Sequence, residues 1–350
     1  MPISFVAERN PSSALTSQVE ALSPANPFST AAYMNSMRAG GNVPWLVGLQ
    51  DQRHFLAGAF AYEQAGRINR TLTIASIPAI SEPTVFWDGI LELCRKNKLS
   101  HLGVNSYGSG SSVVPPLAGE FRRRKRWEFV VDLREADLWK KIHENHRRRI
   151  KKALKLGIEL QVSVDAAGTQ HHAAVIAASM QRRTDRGEYV PSVQETKEFR
   201  IFLENGAGKL FQARHERKVL SSAMVLISSK GGYLQSGGTS LEGMELGASH
   251  FLQHEIMKVL QSEKKDIYNL GGTDEPDSGL AMFKVRFGAC PVELEAAEAV
   301  VGTSVRAAVG HLARRMQAHS TTAGQIASRL KSRLSTPRRS PTPAGKVGSE

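Results

Sequence analysis

Lys284 is the residue of this chain best placed to do chemistry. It lies in Gly279-Leu-Ala-Met-Phe-Lys-Val-Arg-Phe-Gly288, one short loop after Asp266-Ile-Tyr-Asn-Leu-Gly-Gly-Thr273. An ammonium on a four-carbon stem is a compact point charge that could hold a phosphate or offset the charge of a tetrahedral intermediate. Asp274, Glu275 and Asp277 in the loop could take a proton from an attacking amine, although loop carboxylates also serve as turn formers or N-caps. Tyr268 stands just before the glycines, where it is either a proton donor or a core aromatic, and the same choice holds for Tyr233.

The elements around Lys284 explain why it would face a cleft. Ile267, Tyr268 and Leu270 are β-favouring residues, and Gly271-Gly272 ends the strand they predict. Leu280, Phe283 and Phe287 recur at helical spacing and predict one buried stripe, with Gly288 as the cap. A strand that ends in glycines and hands over to a helix opens a crevice at the sheet edge. A second basic element lies upstream. Asp137 to Leu156 reads as one helix of about five turns, with Trp139, Ile142, His146 and Ile150 on its stripe and Gly157 as its stop. Its Arg147, Arg148, Arg149, Lys151 and Lys152 cannot all point one way, so a phosphate contact is expected from Arg147 or Lys151. Arg183 and Arg186 could serve the same end.

At 350 residues the chain exceeds one ordinary core, so two domains are expected. No apolar run is long enough to span a bilayer and the N-terminus lacks a signal-peptide pattern, which predicts a cytoplasmic protein. Cys94 and Cys290 alone make no disulfide framework. No histidine pair is completed by acidic or cysteine ligands, so no metal is expected. The net charge of +13 is concentrated in two places. One is Arg122 to Lys155. The other is the stretch from Gly302, where nine basic residues face Glu350 alone. Both imply an anionic partner such as phosphate, nucleic acid or a membrane surface. Residues to about Val131 and those after Ile158 each mix strands with helices, which suggests a pseudo-duplicated fold. Val300 to Met316 predicts a basic amphipathic helix, and the composition from Ser332 is that of a disordered tail.

The block from Gly271-Gly272 through Gly279-Leu280, Phe283-Lys284 and Phe287-Gly288 resembles the C-terminal signature of the FemAB-like proteins. His146-Arg-Arg-Arg-Ile-Lys-Lys-Ala153 is similar to that family's basic helix between domains, and Asn26-Pro-Phe-Ser-Thr-Ala-Ala-Tyr33 to its N-terminal helix entry. The resemblance covers roughly residues 5 to 300. It implies an α+β fold of two tandem GNAT-like domains, each a mixed sheet flanked by helices. The implied divisions are residues 1–135, a basic linking helix 136–157, a second domain 158–300 and a basic tail 301–350.

The resemblance also implies an N-acyltransferase that moves an acyl or aminoacyl group onto an amine. No cofactor would be tightly bound, and the co-substrate would be acyl-CoA or aminoacyl-tRNA. The acceptor would be a phosphate-bearing cell-envelope, peptidoglycan or exopolysaccharide precursor, met at the inner membrane face with help from the basic tail. Lys284 falls on the family's functional lysine, and Asp274 and Tyr268, read from the residues themselves, join it as expected catalytic residues. Arg38 lies near a basic position of the first domain. It joins Arg147, Lys151, Arg183, Gly271, Gly272 and Phe283 as expected substrate contacts. One departure stands out. The turn expected to cradle a CoA pyrophosphate would be Leu241-Glu-Gly-Met-Glu-Leu-Gly-Ala248, whose glycine spacing is wrong and whose Glu242 and Glu245 repel phosphate. The alternatives are a CoA-dependent N-acetyltransferase of a small amine and, in another class, a non-catalytic nucleic-acid-binding protein.

Overall fold

The computed structural model describes residues 2–301 except 53, 67–68, 110–113, 164, 188–195, 274 and 276–277, and the backbone alone of residue 166. The first half runs β1 (Ser4–Arg9), α1 (Ser13–Leu22), a 3-10 turn (Pro27–Ser29), α2 (Ala31–Ala39), β2 (Val43–Asp51), β3 (His54–Ala65), β4 (Arg70–Ile74), α3 (Pro83–Lys96), β5 (His101–Val104) and β6 (Glu120–Asp132). Two short helices follow, α4 (Leu138–Lys141) and α5 (Glu144–Lys155). The second half runs β7 (Glu159–Ser163), α6 (Ala166–Asp185), α7 (Thr196–Glu204), β8 (Gly208–His215), β9 (Lys218–Ile227), β10 (Gly231–Thr239), α8 (Leu241–Leu246), α9 (Ala248–Ser262), β11 (Ile267–Thr273), α10 (Gly279–Val285) and β12 (Cys290–Val300).

All twelve strands form one sheet, in the order β1-β2-β3-β4-β5-β12-β6-β11-β10-β9-β8-β7. The order is symmetric about its middle. β4 pairs parallel with β5, and β10 pairs parallel with β11. Beside each parallel pair lies an antiparallel strand taken from the other half of the chain: β12 against β5, and β6 against β11. β12 and β6 then pair with each other and close the middle of the sheet. β6, from the first half of the chain, and β12, from its end, therefore each complete the sheet beside strands of the other half. Local periodicity carries no information about such an exchange.

Strand alternation gives this sheet two faces. On one, β12 and β6 place Ala297, Ala299, Phe129 and Val131 into two cores, one roofed by α3 and the other by α5, α9 and α10. On the opposite face a third core joins both halves: Tyr33 and Met34 of α2 and Phe199 and Phe202 of α7 share it with Leu46, Phe60, Met224 and Tyr233.

Two expectations are corrected. The predicted helix from Asp137 to Leu156 is broken, because Ile142 is extended and His143 caps α5, accepting from the Asn145 N–H at 3.2 Å on Nδ1. Anchoring causes the break: the His143 N–H donates to the Arg286 carbonyl at 2.8 Å. Leu280 is exposed and Phe283 half-buried, so of the predicted stripe only Phe287, just past the end of α10, is fully buried, while α10 itself buries Ala281 and Lys284. The helix and tail predicted after Val301 lie outside the described residues. Within them, no helix is long and apolar enough to cross a membrane.

Candidate active site

β10 and β11 run together only briefly. Gly231 to Tyr233 face Ile267 to Asn269, after which β10 breaks register between Leu234 and Ser236 and β11 between Asn269 and Gly272. The two parallel strands thus part after Tyr233 and Asn269, and the parting of parallel strands at their C-terminal ends is a common place for ligands in sheets of this kind. Gly271 takes φ +72° here, and a side chain on it would meet the Leu234 carbonyl oxygen at 2.9 Å.

Where β10 departs, Lys284 supplies the missing donors. Ser278 caps α10, accepting from the Ala281 N–H at 3.2 Å, and sets the helix so that Lys284 points back at the strand. Its Nζ donates to the carbonyls of Gly271 at 2.9 Å and Gly272 at 3.0 Å, and lies 5.4 Å from the centre of the Phe129 ring. Only 5% of the residue is exposed. Its pKa is lowered to about 8, mostly by burial and further by nearby Arg126, with Glu128 opposing them.

Glu128 is buried and accepts three hydrogen bonds: from Tyr233 Oη at 2.7 Å, Asn269 Nδ2 at 2.7 Å and the Gly108 N–H at 3.0 Å. Three donors offset much of the desolvation cost of a buried carboxylate. They also tie together β6, β10, β11 and the segment after β5. Burial and the adjacent Glu128 both push the Tyr233 phenol far above its usual pKa. Two residues before Glu128, Arg126 holds its guanidinium 4.6 Å over the Tyr107 ring. Gly272 makes room for it, since a Cβ there would lie 2.1 Å from Arg126 Nη2.

Of the expected residues, Lys284, Gly271 and Gly272 are brought together. Phe283 stands one residue away, its ring against His146 and His250, each 5.1 Å between centres. Its carbonyl accepts from His146 Nε2 at 2.9 Å. Tyr268 points to the other face of β11, fully buried, and donates to Gln253 Oε1 at 2.7 Å. Arg38 on α2 is exposed and donates to Asn35 Oδ1 at 2.9 Å. Lys151 on α5 is exposed with its Nζ 6.0 Å over Trp139, and Arg147 beside it is half-buried. Arg183 on α6 has Nη1 3.9 Å from Met180 Sδ. Among the described residues none of these four is hydrogen-bonded or ion-paired to Glu128 or Lys284. Asp274 and Asp277 lie outside the described residues.

Glu128, Arg126 and Asn269 were not singled out by the sequence. A signal did exist: Arg122, Arg124, Arg126 and Glu128 alternate on one face of a strand whose other face carries Trp127 and Phe129. Among the described residues, no three His, Cys, Asp or Glu side chains cluster as a metal site needs.

Residues 140–278 match the acetyltransferase (GNAT) domain family. The structure is similar to that of FemX at TM-score 0.64 and 13% identity, over 84% of this chain and 97% of that one. It is similar to L-PGS from Bacillus licheniformis at 0.54 and 11%, over 87% and 96%. A tandem GNAT protein from the clavulanic acid biosynthesis pathway aligns at 0.50 and 13%, over 87% and 100%. None of the curated proteins compared with the sequence matches it. Residues 140–278 are thus a GNAT-like acetyltransferase domain, set in a fold shared with FemX and a tandem GNAT protein.

GNAT domains take acyl-CoA as a co-substrate without a tightly bound cofactor. In this chain the start of α9, where a pyrophosphate would meet free N–H groups, is covered. Gly247 and Ala248 are buried, a Cβ on Gly247 would lie 2.9 Å from the Arg149 carbonyl oxygen, and Lys152 Nζ donates to the Glu245 carbonyl at 3.0 Å. Leu241 to Leu246 form α8, capped by Ser240, where a phosphate loop would be. The residues here do not fit a CoA pyrophosphate.

Proposed function

We propose that this acyltransferase moves an acyl or aminoacyl group from an activated ester or thioester to the amine of a phosphate-bearing acceptor, in the crevice where β10 and β11 part. The observation that carries the reading is the Lys284 clamp on Gly271 and Gly272 at that parting. The acceptor nitrogen attacks the donor carbonyl, a C–N bond forms, the donor C–O or C–S bond breaks, and the departing group takes a proton. Lys284 sets the carbonyls that shape the crevice and puts positive charge beside the developing oxyanion. Asp274, next in sequence to the cleft strand, takes the proton from the amine. Glu128 fixes Tyr233 and Asn269 at the parting and acts through them. Arg38, Arg147, Lys151 and Arg183 offer further phosphate contacts elsewhere on the surface.

A phosphate-bearing, cell-envelope acceptor at the cytoplasmic membrane face suits the charge of the chain. It also suits the likeness to the C-terminal domain of a putative lysylphosphatidylglycerol synthetase from Agrobacterium fabrum. The covered start of α9 favours a donor held elsewhere than in the usual CoA seat. Mass spectrometry of acyl transfer with acyl-CoA and aminoacyl-tRNA pools tests the reading. An acylated amine from either pool supports it and names the donor; no amine acylated from either would reject it.

A further inference from the structure

β6 carries a run of cations from Arg122 to Arg126, and the two faces of the strand treat them differently. On one face the charges are neutralised. Arg123 binds Glu120 at 2.7 Å and Glu295 at 3.0 Å, and Lys125 binds Glu293 at 2.5 Å. On the other face Arg122 meets Glu298 at 3.5 Å, but Arg124 makes no hydrogen bond or ion pair among the described residues. Arg126 stacks on Tyr107, and its buried Nε has no hydrogen-bond partner.

Arg124 overhangs a groove of about 160 Å³ between β4, β5, β12 and β6. Thr71, Thr73 and Asn105 line it, half-buried, and their side-chain hydroxyl and amide groups have no hydrogen-bond partner among the described residues. Gly103 leaves the floor open, since a Cβ there would find only the Thr73 side chain, 3.6 Å away. Glu298 also faces the groove, but its charge is matched by Arg122, which leaves Arg124 as the net charge. Half-buried donors without partners around an unpaired guanidinium are the makings of an anion site.

We propose that this groove holds a phosphate or diphosphate group of the acceptor, with Arg124 as its principal ligand and Thr71, Thr73 and Asn105 donating around it. A tetrahedral anion accepts hydrogen bonds from several directions at once, as this arrangement offers, whereas a carboxylate accepts mainly in one plane. The assignment rests on the acyl-transfer reading for the word acceptor, and it adds a length. Arg124 and Glu128 are four residues apart on β6, about 14 Å at strand rise. Glu128 pairs across to Gly272, at the crevice. The substrate class is therefore a phosphorylated amine whose nitrogen stands on the order of 14 Å from its phosphate when extended. Arg126 lies between the two points and contacts the span.

Isothermal titration of the full chain with inorganic pyrophosphate tests the site without turnover. Saturable binding is expected, weakened tenfold or more by Arg124→Gln and lost in Gly103→Val, which fills the groove. Arg148→Gln, on an exposed arginine already paired with Glu144, should bind as the wild type does. The site is overturned if Arg124→Gln binds pyrophosphate as tightly as wild type, or if succinate binds as tightly as pyrophosphate. With a phosphorylated amine turned over by the enzyme, Arg124→Gln should raise KM at least tenfold and leave kcat within twofold. An unchanged KM would remove the phosphate of the acceptor from the groove even where pyrophosphate binds. Failure of all acyl transfer would instead strike the reaction and leave the titration standing.

Discussion

Lys284 Nζ and the Gly271 carbonyl, 2.9 Å apart, make a bond that does the work of a missing strand neighbour. β10 turns away at Tyr233, and the backbone acceptors it abandons are taken by a side chain from α10. The signature lysine is thereby part of the wall of the crevice as well as its charge.

Lys284→Met should therefore lose on two counts. Two carbonyls lose their donor in a buried site, which costs about 1–3 kcal/mol of stability. Acyl transfer should fall by at least tenfold. Chemical denaturation and initial rates check both. Wild-type stability in the variant would show that the carbonyls find other donors.

The same lysine predicts a basic limb. Its folded pKa of about 8 lies below the usual 10.5, so between these values the unfolded chain binds more protons than the folded one. Stability should then rise with pH across that window, its cost being fully present below pH 8. Urea midpoints at intervals across the window, for wild type and Lys284→Met, isolate the contribution. It should be absent from the variant.

His172 gives an acid limb. It is buried with Nδ1 2.8 Å from Ser222 Oγ and Nε2 2.9 Å from Ser236 Oγ, and burial lowers its pKa to about 4 from 6.5. The stability it contributes is present above pH 6.5 and lost as pH falls through about 4. His250, also lowered to about 4, adds to the same fall. His172→Gln should flatten the acid limb of a thermal-shift profile, and an unaltered limb would assign it to other groups.

Glu128→Gln keeps the shape of a carboxylate that receives three donors but turns one acceptor into a donor. The clash with Asn269 or Gly108 should cost about 1–3 kcal/mol and lower kcat, because the parting strands lose their shared anchor. Replacing Tyr233 by Phe removes one donor only and should cost less. Equal losses from both would mean that the carboxylate is held by Tyr233 alone.

The adjacent glycines should behave differently. Gly271→Ala forces a side chain to φ +72° against the Leu234 carbonyl and should destabilise by about 1–3 kcal/mol. Gly272→Ala meets the mobile end of Arg126 instead. Its melting temperature should stay near wild type while acyl transfer drops, as Arg126 is driven off Tyr107. A paired comparison of melting curves and rates separates the two.

The C-terminal block was legible because its determinants are local: phenylalanines at helical spacing that mark α10, one lysine between them, and two glycines, which shift the register within β11 rather than end it as predicted. The partition of α4 from α5 was not, since what breaks the helix at His143 is a bond to Arg286, far along the chain. Glu128 escaped for a related reason. Within β6 it is one carboxylate after five cations. Its value lies in Tyr233, Asn269 and Gly108, which only the closed sheet brings to it. Tyr268 and Asn269 show how finely strand phase matters: one residue of alternation sends the first into the core and the second to the crevice.

The exchange of β6 and β12 also bears on how the chain reaches its native state. As the ribosome delivers it, the first half has β5 exposed along one edge until residue 300 arrives, and β6 must wait for β11. Neither half can finish alone, so assembly of the middle of the sheet is late and depends on contacts of long sequence separation. A chain cut short before Cys290 would leave β5 and β6 as bare edges side by side, inviting aggregation rather than yielding a smaller working unit.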